Sequence, residues 1–412
     1  MWGKMKNTVE YESFYLLLTK QILPFWERAV DLENGTYDID VDERGNVIKH
    51  DYKHLTSISR LVFSFSRGYR LTQLEKYRRL AEIGVAFLTT HLHDATYKGF
   101  FRRVRATGEV LDSNKCPYAN ATAVYALAEF ASIVDGEQKA QSLALAEETM
   151  NFLMRYAYDD EFGGFFEELD EEWSPISKIK RVGHLLHSIE AVANLYSLTS
   201  NIIYRDYLIS LCDLLIEKFY DSEHNCILEH FTENWIAYHE LTRGTILFGH
   251  VLEAAWFIMV IGEKIGHETY VRIGRLLLAF VMRSGYDETY GGIYYSGMPN
   301  GKVVDSSKMW WVQCAFLGAL STAFSQTKDP FYLFWIHEIR LFLEHNQLDT
   351  KHGELYMLLY RDGTVNSGMK GKSTIDFLPI KVAYHTVQAL GCAIRNLPNT
   401  KNRSETQSEI WL

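Results

Sequence analysis

The chain has 412 residues, a formal net charge of −10 and a hydrophobic content of 47%. The acidic balance disfavours nucleic acid and anionic membrane as partners, because both require clustered Lys and Arg, and the apolar content is that of a globular protein with a large core. Five cysteines (Cys116, Cys212, Cys226, Cys314 and Cys392) without a CxxC pair, and no apolar leader, are read as a cytoplasmic protein rather than a secreted one.

A helical pattern over residues 10–32 opens the chain. The first of six similar signals follows, Asn34-Gly35-Thr36-Tyr37. It recurs as Lys98-Gly99-Phe100-Phe101, Gly163-Gly164-Phe165-Phe166, Asn225-Cys226-Ile227-Leu228, Gly291-Gly292-Ile293-Tyr294 and His352-Gly353-Glu354-Leu355. Taking residues 35, 99, 164, 226, 292 and 353, the steps are 64, 65, 62, 66 and 61 residues. A fixed period over a whole chain marks a repeat architecture. Each signal opens a hairpin, with turn chemistry at 41–45, 105–108, 170–173, 232–235, 298–301 and 361–363. After the first hairpin, Leu55, Ile58, Leu61, Val62, Phe65 and Tyr69 mark one helical face, and Tyr77, Leu80, Ile83, Ala86 and Phe87 mark another.

The predicted unit is hairpin, helix, helix. One helix pair cannot bury its apolar face alone, so the pairs stack. The predicted fold is all-α: a closed (α/α)6 toroid of twelve helices, with short β-hairpins at one end. It forms one domain over 1–398, and 399–412 is read as a polar tail. The most apolar stretch, 245–261, carries His250 and Glu253 and reads as a buried helix rather than a membrane span. Most of the aromatic residues fill the core, while some, Trp310 and Trp311 foremost, are placed to line a central sugar cleft.

Polar residues recur where each inner helix begins, some twenty to thirty residues past each signal. The six places hold His54 and Arg60; Tyr118 and Asn120; His184, His187 and Glu190; His250 and Glu253; Trp310, Trp311 and Gln313; and His385. A toroid brings its inner helix starts to one end of the axis, so these side chains are predicted to converge on one cavity. His187-Ser188-Ile189-Glu190-Ala191 and His250-Val251-Leu252-Glu253-Ala254 share the pattern His-x-x-Glu-Ala, and His385 is followed by Gln388-Ala389. A carboxylate three residues on lies on the same helix face and can fix the imidazole tautomer. The three histidines are read as occupying equivalent positions. His91, His93, His224, His267, His337, His345 and His352 fall in loops, hairpins or outer helices. Two other chemistries stay open on residues alone. His184, His187 and Glu190 could ligate a metal, although no tight Cys/His cluster accompanies them. Glu167, Glu168, Asp170, Glu190 and Glu253 could supply the two acids of a glycoside hydrolase.

These motifs together resemble the N-acylglucosamine 2-epimerase superfamily, which includes cellobiose 2-epimerase, mannose isomerase and sulfoquinovose isomerase. The resemblance is carried by Ile22-Leu23-Pro24-Phe25-Trp26, His54-Leu55, Arg60, Tyr118-Ala119-Asn120, the His187 helix with Asn194-Leu195-Tyr196, Phe248–Ala254, Trp310-Trp311-Val312-Gln313 and Tyr384-His385. The chain departs from the family pattern at Gly183, where an Asn is usual, at Ala315, where a Glu is usual, and at Ile380, where the disaccharide epimerases have Trp.

The resemblance implies an enzyme without metal or other cofactor. It would epimerise or isomerise a free reducing sugar, a mannose- or glucose-type monosaccharide above all, as a monomer or homodimer. The route implied is ring opening and a cis-enediolate. His250 and His385 would transfer protons, Glu253 would tune His250, and Arg60 would face the enediolate. His187 would assist ring opening with Glu190 behind it. His54, Tyr118, Asn120, His184, Trp310, Trp311 and Gln313 would bind the sugar. A non-catalytic glycan-binding toroid and an (α/α)6 hydrolase or lyase are the alternatives.

Overall fold

The computed structural model describes residues 2–38, 40–42, 44–238, 243–366, 381–397 and 410–412, with the side chains of 2–8 excepted. Glu43, Ile380 and the tail at 399–407 lie outside the described residues.

Among the described residues twelve long α-helices follow one another: α1 (Trp2–Leu16), α2 (Leu55–Thr72), α3 (Glu75–Phe87), α4 (Pro117–Ala131), α5 (Gly136–Phe152), α6 (Val182–Thr199), α7 (Ile202–Leu214), α8 (Phe248–Ile265), α9 (Glu268–Ser284), α10 (Trp310–Thr327), α11 (Pro330–Phe342) and α12 (Tyr384–Asn396). The even-numbered helices form the inner ring, each against the next and α12 against α2. Burial separates the two rings. Every residue from Ala119 to Ala131 of α4 is buried. The outer helix α9 buries only the stripe Tyr270, Ile273, Gly274, Leu277, Leu278 and Val281, with Phe280 beside it.

The toroid closes differently from the predicted unit. A single described helix, α12, follows the sixth hairpin, and its outer partner is α1, which lies against both α11 and α12. That first helix begins earlier than predicted and ends earlier too. It runs on through Leu17–Ile22 and Leu23–Trp26, and Val30–Asp31 is already a strand. The chain's start therefore completes the ring that its end leaves open.

The repeat signal also proves to rest on an acid that the glycines obscured. Asp31, Asp94, Asp159, Asp221, Asp287 and Asp349 each accept the backbone N–H groups two and three residues on. These Asx turns step by 63, 65, 62, 66 and 62 residues. Tyr37, Phe100, Phe165, Ile227, Ile293 and Leu355 then pair back across the turn. That pairing shifts the first and last copies of the signal by one residue, to Thr36 and Glu354. Gly99 shows why small residues recur there: its φ is +66°, and a Cβ would stand 2.6 Å from the Trp173 ring.

Buried lysines fasten the turns to the inner helices. Lys115, Lys180 and Lys308 each stand 21 residues after the turn aspartate and bond it at 2.6, 2.7 and 3.0 Å. Lys53 takes Asp38 instead and Lys381 takes Glu354, while Ile246 fills the fourth place. Neighbouring units are riveted by short antiparallel ladders. Tyr52–His54 pairs with Arg103–Arg105, Lys180–Arg181 with His230–Phe231, Ile246–Leu247 with Ser296–Gly297, and Lys308–Met309 with Leu358–Leu359. These fix the heights of the inner helix starts.

At the opposite end of the ring, the last three residues do not trail away as a polar tail. Ile410 and Leu412 are fully buried, and their carbonyls accept from Arg395 and Arg67 at 2.6 and 2.5 Å. All five cysteines are unpaired. No helix among the described residues is long and apolar enough to cross a membrane.

Candidate active site

Arg60, the sixth residue of α2, is fully buried. Its Nε donates to Tyr125 Oη at 3.1 Å and its Nη2 to Tyr118 Oη at 2.8 Å, with His187 Nε2 at 3.3 Å. The guanidinium also lies 4.6 Å from the Tyr384 ring centroid. Burial works against its charge, and the surrounding tyrosine oxygens outweigh that and hold its pKa above the ordinary value. The Arg60 guanidinium is thus engaged by two tyrosines and His187 rather than left as an open fork.

His187 carries the network onward. Its Nδ1 meets Glu190 Oε2 at 3.1 Å, and the same carboxylate accepts from Tyr384 Oη at 2.5 Å and Gln388 Nε2 at 2.7 Å. Desolvation, then the nearby Arg60 charge, push His187 well below the usual imidazole range. The neutral ring therefore gives its Nδ1 proton to Glu190 and turns the Nε2 lone pair to Arg60. Burial raises Glu190 to about 8, with the Tyr384 hydrogen bond pulling against it.

His250 and His385 both pack against Trp311, with ring centroids 5.3 and 5.8 Å from the indole. His385 is nearly buried, and its Nδ1 lies 3.3 Å from Glu253 Oε1. Burial and the positive charges of Arg60 and Lys381 push it well below the usual imidazole range. Burial raises Glu253 to about 7. His250 Nδ1 meets Glu229 Oε2 at 2.7 Å. Burial lowers its pKa, but Glu229 more than offsets that, so it lies above the ordinary 6.5. Its Nε2 is turned towards Gly183, where an added Cβ would stand 3.6 Å away.

Three expectations are corrected here. Glu253 bears on His250 through its charge but touches His385, and the carboxylate hydrogen-bonded to His250 is Glu229. The two His-x-x-Glu motifs are not equivalent. Counted from the helix starts at Val182 and Phe248, His184 matches His250, and His187 matches Glu253 and Arg60. The motif repeats with a slip of three residues, about 4.5 Å along the axis, which sets His187 deeper than His250. Asn120 and Gln313 do not face the cavity. Each is the fourth residue of its helix and clamps its own hairpin. Asn120 Oδ1 accepts from Phe100 N at 2.9 Å. Gln313 accepts from Ile293 N and donates to Ile293 O, both at 2.8 Å.

The other expected residues sit around this centre. Tyr118 packs edge-on to His187 and tilts over His184. Burial pushes the neighbouring His184 to about 4, so it too is neutral. His54 caps the start of α2 against Tyr52. Trp310 is almost wholly buried between His385 and Lys381. Sequence reasoning missed Tyr125 and Glu229. Tyr125 is seven residues from Tyr118, two turns along one face, and that spacing could have found it. Glu229 is 21 residues from His250 on another element, and no local pattern links them.

Comparison with known proteins follows the same lines. The profile of the N-acylglucosamine 2-epimerase (GlcNAc 2-epimerase) family matches residues 35–389. The cellobiose 2-epimerase of Bacteroides fragilis is 26% identical over 363 residues, 85% of this chain and 91% of that protein. The D-mannose isomerase of Marinomonas mediterranea is 23% identical over 382 residues, 90% of this chain and 94% of that one. The solved cellobiose 2-epimerase of Bacillus thermoamylovorans B4167 superposes with a TM-score of 0.85 at 26% identity, over 93% of this chain and 98% of that one. An axial cluster of polar and aromatic side chains drawn from all six inner helices, on a chain that follows these enzymes almost end to end, places the protein: it belongs to the N-acylglucosamine 2-epimerase family and is a carbohydrate epimerase or isomerase.

Proposed function

We propose that the protein moves a proton at C2 of a free reducing sugar, a mannose- or glucose-type monosaccharide, without a cofactor, as an epimerase or an aldose–ketose isomerase. The observation that carries this reading is the pair His250 and His385 on two different inner helices, both packed against Trp311, each with a buried carboxylate at Nδ1. Such a pair can address two faces of a planar intermediate. One imidazole takes the C2 proton of the open-chain aldose, whose adjacent carbonyl makes it acidic. The electron pair moves into a cis-enediolate. Return of a proton to the other face of C2 gives the epimer, and delivery to C1 gives the ketose. Arg60 stabilises the developing negative charge from below, through its field and through the Tyr118 hydroxyl that it holds. For His187 to assist ring opening, its Nε2 must exchange Arg60 for a sugar oxygen. Trp311 offers the apolar face on which a sugar ring can lie. The named relatives include both cellobiose epimerases and mannose isomerases, which supports the reaction class and leaves the sugar to experiment.

Incubation in D₂O with mannose, glucose, their N-acetyl amines and cellobiose tests the proposal. Deuterium at C2 of an epimer, or at C1 of a ketose, is the expected result. Glycan cleavage would mean a hydrolase or lyase, and no turnover of any sugar would mean a binding toroid. Activity should survive dialysis against a strong chelator. Loss on dialysis with recovery on added Zn²⁺ or Mn²⁺ would overturn the cofactor-free mechanism.

A further inference from the structure

Glu229 lies in the fourth hairpin, between the strands Cys226–Ile227 and His230–Phe231, and is 5% exposed. Its backbone does what this position does around the ring. The carbonyl of Glu229 accepts the first N–H of α6 at 3.1 Å, as those of Arg102, Tyr295 and Met357 accept from Leu55, Phe248 and Trp310. Arg, Tyr and Met therefore suffice for the fold at the matching places. The side chain of Glu229 does something else. Its Oε1 accepts the Leu247 N–H at 2.9 Å, just before α8 begins, and its Oε2 meets His250 Nδ1 at 2.7 Å. One carboxylate is thus held by the backbone of the hairpin junction and pressed on the imidazole.

We propose that Glu229 is the positioning residue of His250: it accepts the Nδ1 proton, fixes the ring, and leaves Nε2 as the atom that exchanges a proton with the sugar. The inference rests on the assignment of His250 as an acid/base. When His250 takes the C2 proton, the new N–H forms at Nε2, the C–H electron pair passes into the enediolate, and the Nδ1 proton stays on the ring. Glu229 keeps its place at Nδ1 and stabilises the imidazolium. The other titratable groups that bear on His250 are Glu253 on its own helix, His230 on the hairpin, His187 on α6 and His385 on α12. Of these groups, Glu229 is the one joined to His250 by a direct hydrogen bond. It accounts for the upward shift of His250, against the downward shift of its neighbours.

The test is Glu229→Gln, which keeps the shape and the bond to Leu247 N but turns an amide N–H₂ on Nδ1. That favours the wrong tautomer, with the proton on Nε2. NMR titration of the His250 imidazole should show its pKa lowered by about one unit or more and the tautomer reversed. kcat/KM should fall by about 10- to 100-fold, with its acid limb moved to lower pH and the melting temperature little changed. Glu229→Asp should recover part of the loss. Should Glu229→Gln fail to fold, Glu229→Met, the residue type at the sixth hairpin, carries the same titration. An unchanged His250 pKa and tautomer overturns the inference, as does a loss of activity that only tracks stability. The titration needs no substrate, so a wild-type protein inert on every sugar would overturn the proposed function separately.

Discussion

Arg60, Tyr118, Tyr125, His187, Glu190, Tyr384 and Gln388 are joined by direct hydrogen bonds into one buried network, whereas His250 and His385 each have a single carboxylate at Nδ1 and otherwise meet aromatic ring faces. The first region binds both nitrogens of its histidine. The second leaves Nε2 of His250 turned to Gly183, which has no side chain to meet it. On the proposed mechanism the difference separates two tasks: holding a fixed positive charge in a dry place, and keeping imidazoles able to gain and lose a proton. A saturated network resists change because any orphaned buried group costs about 1–3 kcal/mol. A lightly tethered imidazole can change charge without breaking its neighbours.

The comparison is broken most directly at the proton-transfer pair. His250→Ala and His385→Ala should each lower kcat by ~10²–10⁴ with the fold intact, measured beside His345→Ala, which should change little. Near-wild-type turnover in either variant would move the base to Glu253 or a tyrosine. Next in size, Arg60→Lys should cost about 10²-fold in kcat, because an ammonium keeps the charge but cannot serve Tyr125, Tyr118 and His187 at once. Full activity there would reduce Arg60 to a bulk charge. Gly183→Leu should raise KM by about 10-fold by filling the space before His250 Nε2, with thermal stability unchanged; an unchanged KM would show that the sugar does not pass this way.

Smaller effects sharpen the boundary between site and scaffold. Asn120→Ala and Gln313→Ala each leave a buried hairpin N–H unpaired and should lower stability by about 1–3 kcal/mol, with kcat of the folded protein within about twofold of the parent. A large loss of kcat without destabilisation would return them to the sugar site.

The pH dependence of stability distinguishes the buried imidazoles from the buried carboxyls by sign. His187 and His385 stay neutral in the fold, so below 6.5 the unfolded chain binds protons that the folded chain refuses, and this makes stability rise with pH. Glu190 and Glu253, raised to about 8 and about 7, keep protons that the unfolded chain has released above 4.5, and this makes stability fall with pH. Between pH 4.5 and 6.5 the two pairs offset each other. The contribution of these four groups should be level there, then fall by about 1.4 kcal/mol per pH unit for each carboxyl, up to about 7 for Glu253 and about 8 for Glu190. His385→Ala removes one opposing slope, so between pH 4.5 and 6.5 the stability of that variant, measured by denaturant unfolding, should fall relative to the parent by about 1.4 kcal/mol per pH unit. A difference between variant and parent that does not change with pH would show that His385 is not held neutral.

The sequence by itself determined the ring. Hairpin and helix patterns are local, with periods of two and 3.6 residues, and six copies at one spacing leave few ways to bury the apolar stripes. It also determined that Arg60, Tyr118, His187, His250, Trp311 and His385 would meet, because inner helix starts share one end of a closed toroid. Tertiary structure alone decided which carboxylate serves which imidazole. Glu229 reaches His250 from a hairpin and Glu253 reaches His385 across two helices, and neither distance is encoded by spacing along a strand or helix. Tertiary structure alone decided, too, that Asn120 and Gln313 turn to their own hairpins, since a buried backbone N–H with no other partner claims the nearest amide oxygen. The three-residue slip between the two His-x-x-Glu motifs has the same origin. Side-chain identity repeats along the chain, but the height of each helix start is set by the strand ladders and buried Lys–Asp pairs that hold it.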